Sequence, residues 1–372
     1  MSDYLPFEIQ VDIIKRLPVK SLIQFRSVSK AWKSLIDSSQ FIAHYSGHVR
    51  HLLVRYIDRV DFNEKYVSVV DDDTFPRNKV SVSIPLLVEN CRIIGRSQGL
   101  LCLHDGYRNS CGVPLAGIGR VVLWNPSIRK AVVVVLPNVP KDRIYTTALG
   151  FGVCHETNDP KIVKITHIRL SKDTEQISCI PQQVEVFTLS AGVWRIPYNN
   201  NNLPRKSIRF GWNQVVVDGF LYWLAEDWII TTDSEIRSYS LIVSFDMENE
   251  EFREVNLPEH TYGELLNNPI FIVWMMEDGL FTKLFTINTP QDASVIGFRK
   301  SGAPIVEIVE DVCGLVVVYE PYSNYIDNFW IHGTAFSFAV YPYMETLLLL
   351  DQPDLMVYND TFQSGELRIE VF

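Results

Sequence analysis

The 372-residue chain is 47% hydrophobic and 21% charged, as expected for a globular protein of two or three domains with a large buried core. Its formal net charge of −10 argues against nucleic-acid binding, because nucleic-acid-binding proteins usually carry a basic surface. It has no apolar run of about 18 residues and no charged-then-apolar leader, so we expect no membrane association and a location in the cytoplasm and/or nucleus. The six cysteines are scattered without a C-x-x-C pair, which favours free thiols and predicts neither a metal nor a cofactor.

Three short helices are predicted in residues 1–46. Ile9, Ile13 and Leu17 recur every four residues and share one face of the first helix, which ends before Pro18. Further apolar positions at helical spacing are Leu22, Phe25, Val28, Trp32, Leu35 and Ile36, followed by a last short turn with Phe41 and Tyr45. About 46 residues is marginal for an independent core, so these helices need a partner or form a cap on the rest of the chain.

The residues at these positions resemble the plant F-box. The matching stretches are Leu5-Pro6-Phe7-Glu8-Ile9, the run from Ile14 to Leu22, the run from Phe25 to Ile36, and Phe41. The resemblance implies binding to the Skp-type adaptor of a cullin-RING ubiquitin ligase. The adaptor-binding residues that it implies are Leu5, Pro6, Ile9, Ile13, Leu17, Pro18, Leu22 and Phe25. Val28, Trp32, Leu35 and Ile36 could be either contacts or internal packing, and packing is favoured for Trp32.

From His51 onward the pattern changes to short runs rich in Val, Ile, Tyr, Phe and Trp, separated by Gly, Pro, Asn and Asp. The clearest runs are Arg120–Trp124, Ala131–Leu136, Val184–Leu189, Gln214–Val217, Phe220–Leu224, Leu241–Phe245 and Gly314–Tyr319. An all-β domain is therefore predicted over residues 47–372. With residues 1–46 as the first domain, the fold class is α+β multidomain.

A degenerate repeat predicts the architecture of the β domain. Trp124, Phe187 and Phe245 each end a predicted strand, and they are 63 and 58 residues apart. A period near 60 suits four-stranded blades with loop insertions. We therefore predict a propeller-like domain. A β-sandwich is the alternative, because several hairpins and turns would give a similar pattern.

This second region also resembles a plant family, the F-box-associated domain. The resemblance rests on Ser97–Leu103, Leu123–Lys130, Leu149–Gly152, Val184–Leu189 with Trp194-Arg195, Val217–Trp223, Ser244–Asp246, Gly297–Lys300 and Tyr343–Leu350. Members of the family are substrate-recognition arms related in architecture to kelch propellers. The substrate-binding residues are unknown, and the long Gly-rich loop at 104–119 is a weak candidate for a specificity loop.

Three other patterns could carry chemistry. Ser97 lies in a G-x-S-x-G sequence, but strand-like residues follow it where a nucleophile elbow needs a helix, so a hairpin turn is favoured. His44, His48 and His51 have a spacing that could gather a metal on one helix, although a polar boundary is the more common explanation. Asp71–Asp73 lacks the Gly and Glu of a calcium loop and is interpreted as a turn. We therefore predict no catalytic residue.

The expected function follows from the two resemblances. They imply the substrate-recognition subunit of an SCF-type cullin-RING E3 ubiquitin ligase, a protein that is not itself an enzyme. Its partners would be the Skp-type adaptor, through it the cullin and RING subunits, and an unidentified target protein, with no nucleic acid and no membrane. One alternative is a non-proteolytic F-box interaction scaffold. Another is a glycan-binding or hydrolytic β domain.

Overall fold

The computed structural model describes residues 6–85, 88, 91–105, 119–137, 145–168, 183–198, 203–205, 207–230, 236–257, 270–277, 280–288, 293–320, 325–353 and 357–358. The chain divides into two compact units, each built from separate segments. The first unit comprises Met1–Lys30, Tyr45–Pro85 and Leu257–Thr346, and the second comprises Ala31–His44, Leu86–Asn256 and Leu347–Phe372. These units are defined by spatial contacts and combine separate segments, so they do not test the domains predicted along the sequence at 1–46 and 47–372, which stay a prediction.

Four short helices, one more than predicted, begin the chain. They are α1 (Phe7–Lys15), α2 (Val19–Phe25), α3 (Lys30–Ile36) and α4 (Ser39–His44). The predicted last turn is the fourth helix. Ser38 caps this helix, because its hydroxyl accepts the N–H of Phe41 at 3.3 Å and its carbonyl accepts the N–H of Ile42 at 3.0 Å. None of the helices in the described part of the chain is long and apolar enough to cross a membrane.

The described residues after the helices form twenty-three strands, numbered in chain order. They are β1 (Arg50–Ile57), β2 (Glu64–Val70), β3 (Lys79–Ser81), β4 (Arg92–Ser97), β5 (Leu100–His104), β6 (Arg120–Asn125), β7 (Lys130–Val135), β8 (Tyr145–Val153), β9 (Pro160–Ile168), β10 (Gln183–Thr188), β11 (Val193–Arg195), β12 (Ile208–Val217), β13 (Phe220–Ile230), β14 (Ile236–Asp246), β15 (Phe252–Asn256), β16 (Ile270–Glu277), β17 (Leu280–Asn288), β18 (Ala293–Phe298), β19 (Pro304–Glu310), β20 (Cys313–Glu320), β21 (Tyr325–Thr334), β22 (Ala339–Met344) and β23 (Val357–Tyr358).

The first unit contains two four-stranded sheets and one strand pair. The strand orders are β22-β1-β2-β3, β18-β19-β20-β21 and β16-β17. In the first of these sheets the first strand pairs with a strand from near the end of the chain. β22 lies antiparallel to β1, with Arg50 opposite Met344 and Arg55 opposite Ala339. Both four-stranded sheets contribute to one core, with Leu52 and Val54 from β1, Ile305 from β19, Val316 and Val318 from β20, and Phe329 from β21.

The second unit contains the sheets β11-β10-β9-β8, β12-β13-β14-β15 and β23-β7-β6-β5-β4. Residues from the first two share a core, and the indole N–H of Trp223 donates to the carbonyl of Leu149 at 3.1 Å. In these sheets consecutive strands pair in chain order, with only β23 added out of sequence and parallel to β7. A four-stranded meander is the arrangement of a propeller blade, whereas a sandwich uses Greek-key connections. The predicted propeller-like all-β class is confirmed.

The three repeat aromatics occupy equivalent positions. Trp124 lies in β6, Phe187 in β10 and Phe245 in β14, which are the third strands of three successive sheets. All three side chains are fully buried. A large aromatic in the third strand therefore fills the interior of each of these sheets, which explains the period near 60 in the sequence.

The stretch Leu123–Lys130 fastens a later segment of the chain. The amide of buried Asn125 donates to the carbonyl of Leu348 at 2.8 Å, and its oxygen accepts the N–H of Ser127 at 2.9 Å. The ammonium group of Lys130 donates to the carbonyl of Leu350 at 3.1 Å. These contacts bind the segment 347–350, whose four leucines are all buried, to the β6–β7 hairpin.

Candidate functional site

The α1–α2 pair has an apolar stripe that faces solvent. Ile9 and Ile13 are 44% and 48% exposed, and exposed Pro6 lies on the same side one turn earlier. Ile14, Val19 and Leu22 are buried on the inner side of the pair. We call Pro6, Ile9 and Ile13 the helical stripe. It is an apolar surface that the described residues leave open, which is typical of a binding site for another protein.

Proline residues and a distant carboxylate position the two helices. Pro6 precedes α1 and Pro18 precedes α2, and neither helix has a side-chain cap from its own N-cap residue. A carboxylate from outside the helices replaces that cap, since the N–H of Val19 donates to Oε2 of Glu345 at 3.0 Å. A negative charge at a helix N-terminus satisfies a free N–H and interacts favourably with the helix dipole.

Tyr45 and Gly47 make two further hydrogen bonds near the contact between Glu345 and α2. The hydroxyl of buried Tyr45 donates to the carbonyl of Leu17 at 2.7 Å, and the N–H of Gly47 donates to the carbonyl of Glu345 at 2.8 Å. Burial, together with the nearby charge of Glu345, raises the pKa of Tyr45, so its hydroxyl remains a donor across the physiological range. A Cβ atom at Gly47 would lie 3.0 Å from the backbone N and O of Glu345, so a larger residue would push the two segments apart by a few tenths of an ångström.

The segment that carries the helical stripe has a net positive charge. Between residues 6 and 30 there are five cations and two acids, namely Lys15, Arg16, Lys20, Arg26 and Lys30 against Glu8 and Asp12, although the two acids are the nearest charges in the sequence to Ile9 and Ile13. The rest of the protein is acidic, since the formal charge of the whole chain is −10. A segment with a net positive charge favours a partner with an acidic surface.

The structure places the predicted adaptor-binding residues in three groups. Pro6, Ile9, Ile13 and Pro18 are exposed, Leu17 and Phe25 are half-buried, and Leu5 lies outside the described residues. The side chain of Leu22 is fully buried, which favours interior packing for this residue. The periodicity of α2 shows an apolar face but not which way that face points. Contact of all of these residues with an adaptor stays a prediction.

The four residues predicted as contact or packing also separate by exposure. Val28 is 67% exposed, Trp32 and Leu35 are half-buried, and Ile36 is fully buried. Val28 is therefore available to a partner. Ile36 is packing, and the exposure of Trp32 and Leu35 is compatible with both roles.

The candidate chemical sites have structural explanations. Gln98 and Gly99 have φ values of 44° and 80° in the tight turn between β4 and β5, so the G-x-S-x-G sequence forms the predicted hairpin. Oγ of Ser97 accepts the N–H of Val153 at 3.0 Å. The ring of His51 stacks on Tyr343 with centroids 5.2 Å apart. In the part of the chain that the structure describes, no three His, Cys, Asp or Glu side chains form a metal-binding group.

Two carboxylates with structural roles were missed by the sequence analysis. Glu345 caps α2 although 326 residues separate it from Val19. Asp71 was interpreted as part of a turn, but its carboxylate is fully buried and accepts the N–H of Lys300 at 2.7 Å and Nε of Arg299 at 3.1 Å. No local signal could have revealed these partners, because both contacts join segments that are far apart in sequence. The predicted specificity loop at 104–119 lies largely outside the described residues, which leave out 106–118.

Comparison with known protein families gives two matches. Residues 3–44 match the F-box domain, and residues 112–282 match the F-box associated beta propeller domain. The first match contains the whole helical stripe. The second begins in the predicted specificity loop and extends into β17, and it agrees with the propeller rather than the sandwich.

Two similar proteins of Arabidopsis thaliana are named as F-box proteins. A putative F-box protein of Arabidopsis thaliana, At3g16210, is 25% identical over 273 residues, which cover 71% of this chain and 63% of that protein. F-box protein CPR1 of the same plant is 22% identical over 330 residues, covering 80% of this chain and 76% of that protein. The chain spans 62% to 66% of the length of the first four relatives. Among solved structures, TolB from Acinetobacter baumannii has a TM-score of 0.40 at 9% identity over 79% of this chain and 66% of that chain, a similarity too low to support an argument.

Proposed function

Because this chain is an F-box protein with a C-terminal F-box associated β-propeller domain, we propose that it is the substrate-recognition subunit of an SCF-type cullin-RING E3 ubiquitin ligase. In this proposal the helical stripe binds a Skp-type adaptor and the β domain binds a target protein. The observation that carries the proposal is the stripe itself, since Ile9 and Ile13 are exposed inside the F-box match. The protein acts in the cytoplasm and/or nucleus.

The proposed mechanism is proximity. A receptor that holds the adaptor and the target together raises the effective concentration of target lysines near the charged ubiquitin carrier. This role requires no catalytic group in the chain itself, but it does require a defined orientation of the adaptor-binding helices. Glu345 supports that orientation, because it directly follows β22 and its carboxylate binds the N–H of Val19 at the start of α2.

The proposal is tested by placing charges on the helical stripe. The double variant Ile9→Asp and Ile13→Asp should weaken adaptor binding by roughly a hundredfold or more, because two carboxylates would be desolvated without partners in the interface. The measurement is co-purification of the adaptor with the full chain, followed by titration calorimetry. Both positions are about half exposed, so the melting temperature of the free chain should fall only slightly.

A matched control separates this effect from nonspecific loss of apolar surface. Ile196 is 62% exposed and lies outside the helices, so Ile196→Asp should leave adaptor binding unchanged. Undiminished co-purification with the double variant would refute the assignment of the stripe. Adaptor binding without any effect of cullin or proteasome inhibition on target half-life would instead indicate a non-proteolytic scaffold.

A further inference from the structure

Three turns of the first unit meet at the end of β1 that is remote from the helices. They are the β1–β2 loop at 58–63, the β19–β20 turn at 311–312 and the β21–β22 turn at 335–338. Asp58 pairs with Gly333 at the end of β21, and the N–H of Ile57 donates to Oγ of Ser337 at 3.1 Å. The N–H of Ala335 donates to the carbonyl of Val312 at 3.0 Å. These contacts make the three turns one continuous surface.

Each of these turns exposes large apolar side chains. Val60 is 90% exposed, Phe62 73%, Val312 75% and Phe336 73%. We call these four residues the tip cluster. A single exposed apolar residue is normal on a protein surface, but four of them in three adjoining turns form a patch of the kind that marks a binding site.

Both phenylalanines have a strained backbone. Phe62 has a φ of 56° and Phe336 a φ of 58°, a left-handed conformation that glycine, asparagine and aspartate tolerate and that bulky residues rarely adopt. An exposed phenylalanine contributes little to the core, so folding alone does not account for a large aromatic side chain at these positions. Strain that stability does not explain points to a functional role for the side chain.

Hydrogen bonds and ion pairs hold these turns in place. Oδ1 of Asp58 accepts the N–H of Val60 at 2.8 Å, and Nζ of Lys65 binds Asp58 at 2.9 Å and Asp61 at 3.0 Å. The buried carboxylate of Glu307 accepts the N–H of Phe336 at 2.6 Å. The two exposed aromatic rings are therefore presented on pre-ordered turns, which lowers the entropy cost of binding.

The rim of the tip cluster is acidic. Residues 58–65 and 310–312 hold five carboxylates against two cations, namely Asp58, Asp61, Glu64, Glu310 and Asp311 against Arg59 and Lys65, and Glu64 is paired with Arg55. Lys65 already binds two of the carboxylates, while Glu310 and Asp311 are both exposed. An apolar centre with an acidic rim is complementary to an apolar segment flanked by lysine or arginine.

We propose that the tip cluster is the docking surface for a target segment that carries an apolar side chain flanked by basic residues. This inference rests on the proposed function as a substrate receptor. The position suits that role, because Glu345 fastens the helices near Arg50, the other end of the eight-residue strand β1. At about 3.3 Å per residue the two ends of β1 are separated by roughly 25 Å, so the cluster lies away from the point where Glu345 holds α2.

The test uses the full chain and a probe that does not require a known target. Short peptides are selected from a random displayed library against the wild-type protein. The enriched peptides should share an apolar residue flanked by Lys or Arg, and the double variant Phe62→Asn and Phe336→Asn should weaken their binding at least tenfold. Asparagine tolerates positive φ, so the melting temperature should stay equal or rise, which a purely structural role for the phenylalanines would not produce.

Ile196→Asn is the matched control, since it replaces an equally exposed apolar residue elsewhere and should leave peptide binding unchanged. Equal peptide binding by wild type and the double variant, acidic flanks in the enriched peptides, or no enrichment would each overturn the proposal. A wild-type dimer that the double variant converts to monomer would also overturn it, because the occupant would then be a second copy. Light scattering measures that outcome.

The proposed function and this inference can fail separately. The double variant Phe62→Asn and Phe336→Asn should retain adaptor binding, and the helical-stripe variant Ile9→Asp and Ile13→Asp should retain peptide binding. Loss of both activities in either variant would contradict the separation of the two surfaces. A chain that selects basic-flanked peptides through the tip cluster but never binds an adaptor would refute only the proposed function.

Discussion

The helical stripe and the tip cluster are both exposed apolar surfaces, but they are built in different ways. Ile9 and Ile13 lie on a regular helix, in a segment with a net positive charge, whereas Phe62 and Phe336 lie in turns with positive φ beside acidic residues. The stripe has no backbone strain to maintain, while the cluster depends on neighbouring hydrogen bonds to hold its turns. The comparison shows that a regular element presents a surface through its repeat, whereas a turn presents one through contacts with distant residues.

The largest expected effect compares the two sides of the helix pair. Leu22→Ala should destabilise the helices by about 2–5 kcal/mol, because it opens a cavity at a fully buried site. Ile13→Ala removes a side chain that is 48% exposed and should cost less than about 1 kcal/mol. Amide hydrogen exchange in α1 and α2 measures both values. Equal protection in the two variants would show that Leu22 is not an interior residue of the pair.

The second prediction concerns the cap on α2. Glu345→Gln removes the negative charge that binds the N–H of Val19, so the start of α2 should lose about 0.5–2 kcal/mol. The helical stripe should then bind adaptor more weakly, although no residue of the stripe has changed. Glu277→Gln alters an exposed carboxylate of the same unit and is the control. If both variants exchanged the Val19 amide at the wild-type rate, the capping role would be refuted.

The smallest effect is a pH dependence at the tip cluster. Burial raises the pKa of Glu307 above its ordinary value, although N–H groups of Phe336, Ser337 and Phe338 act in the opposite direction. A raised pKa means that the folded state binds the proton more tightly, so this contribution to stability is present at low pH and is lost as pH rises through the folded pKa. Relative to Glu307→Gln, the wild type should therefore lose stability as pH increases.

Chemical unfolding of the two proteins at several pH values measures this difference. The expected sign is a wild type that gains stability relative to Glu307→Gln on acidification. A wild type that loses relative stability on acidification would show that hydrogen bonds from the turn outweigh burial. In that case the charged carboxylate of Glu307 would stabilise the β21–β22 turn that carries Phe336.

The sequence predicted those features whose cause is local. The spacing of Ile9 and Ile13 predicted the helix and its apolar face, although Leu17 lies just beyond the end of α1, and the spacing of Trp124, Phe187 and Phe245 predicted equivalent strands. The family resemblance added the identity of the module. Each of these signals repeats within a few residues or at a fixed period, so the sequence alone can display it.

Features that depend on distant contacts could not be predicted. Which apolar face of α2 is buried depends on tertiary packing, so the periodicity alone could not show that Leu22 is buried. The cap from Glu345 joins positions 326 residues apart. The tip cluster forms only when three turns from different parts of the sequence come together. No sequence pattern within residues 58–63 indicates that Phe62 has a positive φ. The short helix α4 was predicted only as a last turn, because it has just six residues.

The pairing of β22 with β1 has a consequence for biosynthesis. The edge of β1 stays unpaired until Ala339–Met344 has been made, and Glu345, which fastens α2, follows directly. At about 5–20 residues per second, the ribosome needs roughly 15 to 60 s to translate from the end of β1 to β22. Until then β1 has an open strand edge, which is a feature that favours aggregation. The contact that fastens the start of α2 therefore forms only after the β domain has been translated almost completely.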